Sequence, residues 1–163
     1  MTDDQLSEAA AAAPATDPTV VALEQELAAD GVLVGIVMGS QSDMETMQKA
    51  AKELTDRGIA NEINVMSALR DPDTVAAYAK SARSRGLKVI IAGAGLSAAL
   101  PGVVAAHTDL PVIGVPLTSG MTVAGGLDAL LSVAQMPPGV PVACVGVDNP
   151  KNAAALAARI LAA

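Results

Sequence analysis

The feature that most constrains the fold of this chain is a regular alternation of short apolar runs with helical patterns from residue 32 onward. The apolar runs predict β-strands at residues 32–38, 60–66, 87–92, 111–116 and 140–146. The other segments predict helices at residues 43–57, 72–85, roughly 100–107, 125–135 and 150–162. Runs that are apolar on both faces are typical of parallel strands covered on both sides. The alternation therefore predicts an α/β fold, with three αβα layers around a doubly wound parallel sheet of about five strands, as in flavodoxin-like and Rossmann-like folds.

Residues 1–30 do not share this alternation. The low-complexity run Ala9–Ala13 leads into Pro14, which predicts local disorder. Asp17 and Pro18 offer an N-cap and a proline at the first helical position, so a short helix is expected after them. The expected organisation is a partly disordered extension over residues 1–30, followed by a single α/β domain over residues 31–163.

Charge and composition argue against two classes of partner. The formal net charge is −7 and the only aromatic side chain is Tyr78. Nucleic-acid binding is not expected, because it depends on clustered basic groups and stacking aromatic side chains. Residues 89–108 carry no formal charge when histidine is neutral, but glycines and Pro101 interrupt them. We therefore expect a buried strand, a loop and a packed helix there, and no membrane span.

The single cysteine, Cys144, has no partner for an internal disulfide. It lies in an apolar run, so we expect a buried thiol in a reducing compartment, with a reactive nucleophile as the alternative. The first residues include acidic side chains and no basic segment, which predicts a chain without a signal peptide and a cytoplasmic location.

In a doubly wound sheet, ligands bind beyond the carboxyl ends of the strands, so function should lie in the turns that follow the strands. The first turn contains Ser40, Ser42 and Asp43, and Ser42 stands at capping-box spacing from Glu45. Hydroxyl groups beside the free N–H groups of a helix start predict an anion site. Asp43 could act there as an acceptor or as an acid/base group. An ordinary N-capped turn is the alternative.

The second turn, Ser67–Pro72, carries Arg70 at a strand end. A guanidinium group binds phosphate or carboxylate with two hydrogen bonds, so Arg70 is a candidate anion ligand. An exposed pairing with Asp71 or Asp73 is the alternative. Leu69 is unusual in this polar turn, because a bulky apolar side chain needs an apolar neighbour.

The remaining turns offer weaker signals. Residues 92–98 contain a G-x-G-x-x-A pattern after a strand, which is a short dinucleotide-binding motif. The next strand ends without a carboxylate for a ribose, so close approach of the backbone to another small ligand is favoured. Residues 117–126 indicate a mobile or subunit-contacting loop. His107 is the only histidine and has no ligating neighbour in sequence, so we expect a surface or helix-capping role and no metal site.

Taken in order, these turns and the strands between them match the motifs of a known family. The matching segments are Gly35–Asp43, Met66–Pro72, Val89–Gly95, Leu100–Gly102, Leu110–Pro116, Gln135–Pro137, Gly139–Val142 and Asn152–Ala154. As an ordered set they resemble the 5-(carboxyamino)imidazole ribonucleotide mutases, the class I-like catalytic-subunit family of phosphoribosylaminoimidazole carboxylase. The resemblance covers roughly residues 32–163.

The resemblance implies an isomerase of de novo purine synthesis, assembled as an octamer with sites at subunit junctions. Its substrate would be an aminoimidazole ribonucleotide, whose carboxylate moves from the exocyclic amine to ring C4 without metal or cofactor. By position, the substrate-binding and lining residues would be Ser40, Asp43, Ser67, Ala68, Arg70, Gly95, Leu96 and Ser97. Gln135 and Met136 would come near the site of a neighbouring subunit.

The chain departs from the family at the position of its proton-shuttle histidine, which is Leu69 here. An isobutyl group cannot titrate, and losing a general acid/base typically costs ~10²–10⁴-fold in rate. Asp43 is a possible residual proton carrier. The family also commonly has a histidine where this chain has Ala99.

Several interpretations follow from this departure. The chain is a mutase in which the change at Leu69 inactivates the enzyme, or a homologue that binds an aminoimidazole nucleotide with altered or lost chemistry. A carboxylase that takes CO2 and an unrelated nucleotide-binding α/β protein are the further alternatives.

Overall fold

A parallel five-stranded sheet forms the centre of the computed structural model, which describes residues 31–163. The strands are β1 (Val34–Met38), β2 (Asn61–Val65), β3 (Val89–Gly95), β4 (Val112–Leu117) and β5 (Ala143–Cys144). They lie in the order β2-β1-β3-β4-β5, with every neighbouring pair parallel. The chain steps from β1 to one side and then to the other, so the switch point of the topology falls between β1 and β3. The predicted extension and its helix fall within residues 1–30 and lie outside the described residues.

Five helices cover the two faces of this sheet within residues 31–163. They are α1 (Met44–Asp56), α2 (Pro72–Ala82), α3 (Ala99–Ala106), α4 (Leu127–Ala134) and α5 (Pro150–Leu161). The buried side chains of α1 and α5 pack on one face of the sheet, and those of α2, α3 and α4 pack on the other. The predicted three-layer, doubly wound α/β fold is confirmed.

Helix starts follow the local chemistry of the sequence at two places. The Asp71 carboxylate accepts a hydrogen bond from the Thr74 amide at 3.3 Å, and Pro72 occupies the first turn of α2. Asn149 accepts in the same way from the Asn152 amide at 3.2 Å, ahead of α5. A polar N-cap followed by proline satisfies one orphan N–H group and removes another, which fixes where each helix begins.

Two strand predictions need correction. The predicted strand over residues 140–146 has only Ala143 and Cys144 in the sheet. It is an edge strand, and Pro141 has no N–H group to donate, so pairing with β4 is brief. β3 instead runs beyond the predicted residue 92 to Gly95, because β1 and β4 flank it and continue its hydrogen bonding.

The extended β3 also overturns the dinucleotide alternative. Gly93 and Gly95 lie inside the strand and do not form a phosphate-binding turn. A Cβ atom at Gly93 would lie 2.5 Å from the Met47 sulfur, and one at Gly95 would lie 3.0 Å from the Leu117 carbonyl oxygen. Glycine is required there because helix and strand approach closely.

The uncharged stretch over residues 89–108 is divided between β3, a loop and α3. In the part of the chain that the structure describes, no helix combines the length and the apolar character needed to cross a bilayer.

Candidate active site

A cavity of about 480 Å³ opens at the carboxyl end of the sheet, beside the switch point between β1 and β3. Each residue that the sequence singled out as a site residue lines it: Ser40, Asp43, Ser67, Ala68, Leu69, Arg70, Gly95, Leu96 and Ser97. The loop after β4 adds Thr118, Ser119 and Met121, which the sequence analysis had assigned only to a mobile or subunit-contacting loop. The sequence could have identified this loop as part of the site, because polar residues follow β4 at the same edge of the sheet.

The first turn differs in detail from its prediction. Ser40 has an extended backbone and its side chain accepts hydrogen bonds from the Ser42 amide at 3.3 Å and the Ser42 hydroxyl at 2.9 Å. A 3-10 turn over Gln41–Asp43 precedes α1, whose N-cap is Asp43 without a side-chain capping bond. The predicted capping box from Ser42 to Glu45 is therefore wrong. The Asp43 carboxylate is not used for capping and lines the cavity.

The environment of Asp43 shifts its protonation. Burial raises the pKa of this carboxyl above its ordinary value, and the charge of Asp148 adds to the rise. A hydrogen bond with the Ser40 backbone and the charge of Arg70 lower the same pKa without cancelling the effect of burial. The cavity thus contains a carboxyl group that retains a proton to higher pH than an exposed aspartate does.

Arg70 joins the second turn to the first. Its Nη2 donates to the Gly39 carbonyl oxygen at 3.0 Å, and its Nε donates to the Ser67 hydroxyl at 3.2 Å. Among residues 31–163, no ion pair includes Arg70, so the alternative pairing with Asp71 or Asp73 does not occur. The guanidinium is held in one orientation by neutral groups and presents its positive charge to the cavity.

An apolar rim, formed by Leu69, Leu96 and Met121, borders the same cavity. Leu69 is 73% exposed and Met121 is 72% exposed, so neither is part of the core. His107 is the C-cap residue of α3, where its backbone amide donates to the Val104 carbonyl oxygen, and it does not line the cavity. The described cavity therefore contains no imidazole group.

Two residues between β3 and α3 have a backbone conformation that is unfavourable for their type. Leu96 has φ 56° and Ala98 has φ 35°, both in the left-handed region. Such conformations cost of order 1–3 kcal/mol for residues other than glycine and cluster at functional sites. The Ala98 amide donates to the Gly95 carbonyl oxygen at 2.9 Å, which closes the turn over the cavity.

The structure supports neither a nucleophilic thiol at Cys144 nor a metal site within the described residues. Cys144 is half-buried and outside the cavity, and burial raises its thiol pKa, which disfavours the nucleophilic thiolate. Within residues 31–163, no three side chains of the His, Cys, Asp and Glu types gather as a metal site would require.

Comparison with known proteins places the chain in a family. The family model described as AIR carboxylase matches residues 33–163. The N5-carboxyaminoimidazole ribonucleotide mutase of Pyrococcus horikoshii is 56% identical over 129 residues, which are 79% of this chain and 72% of that protein. The phosphoribosylaminoimidazole carboxylase of Schizosaccharomyces pombe is 55% identical over 130 residues, which are 80% of this chain and 23% of that protein.

A solved structure agrees. The crystal structure of PurE from Treponema denticola superposes with a TM-score of 0.70 at 37% identity, and the alignment covers 80% of each chain. Sequence and structure thus agree on one assignment over residues 33–163, where the cavity lies. The chain belongs to the AIR carboxylase family.

Proposed function

We propose that this chain is an isomerase of de novo purine synthesis. It moves the carboxylate of 5-(carboxyamino)imidazole ribonucleotide from the exocyclic amine to ring C4, giving 4-carboxy-5-aminoimidazole ribonucleotide. The observation that carries the proposal is the cavity at the switch point, where an arginine, several hydroxyl groups and a carboxyl of raised pKa face one volume. The mutase named among its relatives, at 56% identity, supports the same reaction.

The phosphate end of the substrate binds at the first two turns. Two N–H groups of Arg70 are used by Gly39 and Ser67, and the remaining N–H groups are available for two oxygens of a phosphate. The Ser67 hydroxyl oxygen accepts from both the amide and the side chain of Arg70. The Ser67 proton is therefore available to a ligand oxygen.

The reaction also needs a proton carrier, because ring C4 loses a proton and the exocyclic nitrogen gains one. Leu69 cannot carry a proton at the position where the family resemblance implies a histidine. Asp43 is the titratable side chain of the cavity whose pKa is raised by burial. We assign the proton transfer to Asp43, at a rate below that of an imidazole-containing site.

A second candidate function is nucleotide binding with altered or lost chemistry. The observation that favours it is Leu69 itself, an exposed apolar side chain within an otherwise polar set of ligands. A third is carboxylation of aminoimidazole ribonucleotide by CO2, in line with the name of the Schizosaccharomyces pombe relative. Turnover of the carbamate indicates the mutase, and turnover of aminoimidazole ribonucleotide with bicarbonate indicates the carboxylase. Binding without turnover of either substrate indicates a nucleotide-binding protein with lost chemistry.

The proposal includes a homo-oligomer, an octamer by family resemblance, located in the cytoplasm. Exposed apolar side chains in the loop after β4 and in α4 support subunit contacts: Met121, Val123, Leu127 and Leu131. Gln135 is exposed at the end of α4, where a neighbouring subunit could reach it. Light scattering after size exclusion should show an oligomer at micromolar concentration, and a clean monomer would contradict this part of the proposal.

Calorimetric titration with aminoimidazole ribonucleotide tests the binding claim without requiring turnover. We expect saturable binding with one nucleotide for each chain. Ribose 5-phosphate is the matched control, because it offers the phosphate without the base and should bind more weakly. A chain that binds neither compound would contradict the proposed function.

A further inference from the structure

The cavity wall formed by Thr118 is held by a residue outside the cavity. Thr118 directly follows β4 and lines the cavity. Its backbone amide donates to Asp148 Oδ1 at 2.9 Å, and its hydroxyl donates to Asp148 Oδ2. Asp148 itself does not line the cavity. One carboxylate therefore fixes both the backbone and the side chain of a single cavity residue.

The turn that carries Asp148 is built to make this contact. Asp148 has φ 51°, a left-handed conformation that aspartate and asparagine tolerate better than most residues. Its amide donates to the Pro116 carbonyl oxygen at 2.9 Å, which ties the turn to the end of β4 after the short β5 has ended. The unfavourable backbone conformation is thus maintained by the same hydrogen bonds that bring the carboxylate to Thr118.

Packing on the other side of Thr118 completes its orientation. A Cβ atom at Gly126 would lie 3.1 Å from Thr118 Cγ2 and 2.8 Å from Val147 Cγ1. The Thr118 methyl group therefore faces Gly126, while its hydroxyl faces Asp148. The Thr118 side chain is held from two directions and cannot rotate without losing contacts.

The direction of the hydroxyl bond has a chemical consequence. The Thr118 hydroxyl donates to Asp148 Oδ2, so its single proton is committed to Asp148. We infer that Asp148 is a positioning residue, which makes Thr118 Oγ1 an acceptor for an N–H or O–H donor of the nucleotide bound in the cavity. This inference rests on the proposed function, whose substrate carries such donors on its ribose and its exocyclic nitrogen.

Two substitutions reverse or remove this acceptor with little change of shape, and only Asp148→Asn also removes the charge that, in addition to burial, raises the pKa of Asp43. In Asp148→Asn, the oxygen must face the Thr118 amide, so the new NH₂ group donates to Thr118 Oγ1 and turns the Thr118 proton toward the ligand. Thr118→Val removes the oxygen and keeps the amide bond to Asp148. We expect each to weaken aminoimidazole ribonucleotide binding about tenfold, because one hydrogen bond is lost and a donor is left unpaired.

A double variant and two control variants test whether Asp148 affects nucleotide binding through Thr118. Asp148→Asn combined with Thr118→Val should bind no more weakly than either single variant, because both changes remove the same acceptor. Thr118→Ser keeps the hydroxyl but loses the methyl contact at Gly126, so it should lose less affinity than Thr118→Val. Asp109→Asn changes another exposed aspartate, which accepts from Arg83 Nε at 2.8 Å outside the cavity, and should have no effect.

Calorimetric titration of these variants with aminoimidazole ribonucleotide, together with their melting temperatures, tests whether Asp148 positions Thr118 for binding. A lowered melting temperature with unchanged affinity in Asp148→Asn would overturn the inference, since a purely structural contact gives that result. So would independent, additive losses, or a loss in Asp148→Asn that Thr118→Val does not share. A parent chain that binds no nucleotide would overturn the proposed function and this inference with it, whereas tight binding that neither substitution changes overturns the inference alone.

Discussion

Replacing Arg70 by methionine removes the positive charge that the cavity offers to a phosphate. Methionine keeps most of the aliphatic stem, so the change acts on the guanidinium and its hydrogen bonds. Those bonds join Arg70 Nη2 to the Gly39 carbonyl oxygen and Nε to the Ser67 hydroxyl, and all of them lie at the exposed edge of the site. The fold should therefore be little affected, with a melting temperature close to that of the parent.

The expected loss of binding follows from the groups that Arg70 presents. A hydrogen bond to a charged group contributes about 1.5–3 kcal/mol, and a guanidinium fork can make two to one phosphate. Because Arg70 is exposed, solvent screening reduces the sum, and we expect a net loss of about 2 kcal/mol, or about 30-fold in Kd. The parent affinity should also fall with rising ionic strength more steeply than that of the variant.

Calorimetric titration with aminoimidazole ribonucleotide at low and at high ionic strength measures both effects. Arg83→Met is the matched control, because Arg83 is also exposed but pairs with Asp109 away from the cavity. An Arg70→Met variant with the affinity and salt dependence of the parent would show that the phosphate binds elsewhere.

Three further predictions concern the fold and its pH dependence. Gly114→Ala places a Cβ atom 2.3 Å from a valine methyl and should cost about 3 kcal/mol in urea unfolding, whereas Gly39→Ala meets nothing within 4 Å and should be nearly neutral. Asp43→Asn should be more stable than the parent at neutral pH, because burial raises the folded pKa and makes the ionised form costly. That difference should shrink as the pH of the denaturation experiment falls through the folded pKa toward 3.8. Tyr78→Phe loses the 2.7 Å bond to Glu62 and should cost about 1 kcal/mol in urea unfolding, without changing nucleotide affinity in calorimetry.

Local chemistry in the sequence was enough to predict the layers of the fold and the position of the cavity. Apolar runs and helical periods identified the β-α alternation, and polar residues before Pro72 and Pro150 marked two helix starts. The turns after parallel strands share one edge of the sheet, so the turns that carry Ser40 and Arg70 lie on the same side of it. The structure joins their turns through the bond from Arg70 to Gly39.

The features that the sequence did not predict depend on contacts distant along the chain. In the sequence, Gly93 resembles part of a phosphate-binding turn. In the structure, glycine is required there because the Met47 side chain packs against the strand. Ser42 caps no helix, because a 3-10 turn capped by the extended residue Ser40 precedes α1. The orientation of the Thr118 side chain depends on hydrogen bonds to Asp148, which lies 30 residues further along the chain.

The proposed function requires that the cavity bind an aminoimidazole ribonucleotide and lack only an efficient proton carrier at position 69. Turnover of 5-(carboxyamino)imidazole ribonucleotide by the parent chain and by Leu69→His, side by side, tests it most directly. We expect the variant to be faster by ~10²-fold or more, because an imidazole titrates near neutral pH and the Leu69 side chain does not titrate. A parent as fast as the variant, or two inactive proteins that still bind the nucleotide, would contradict it.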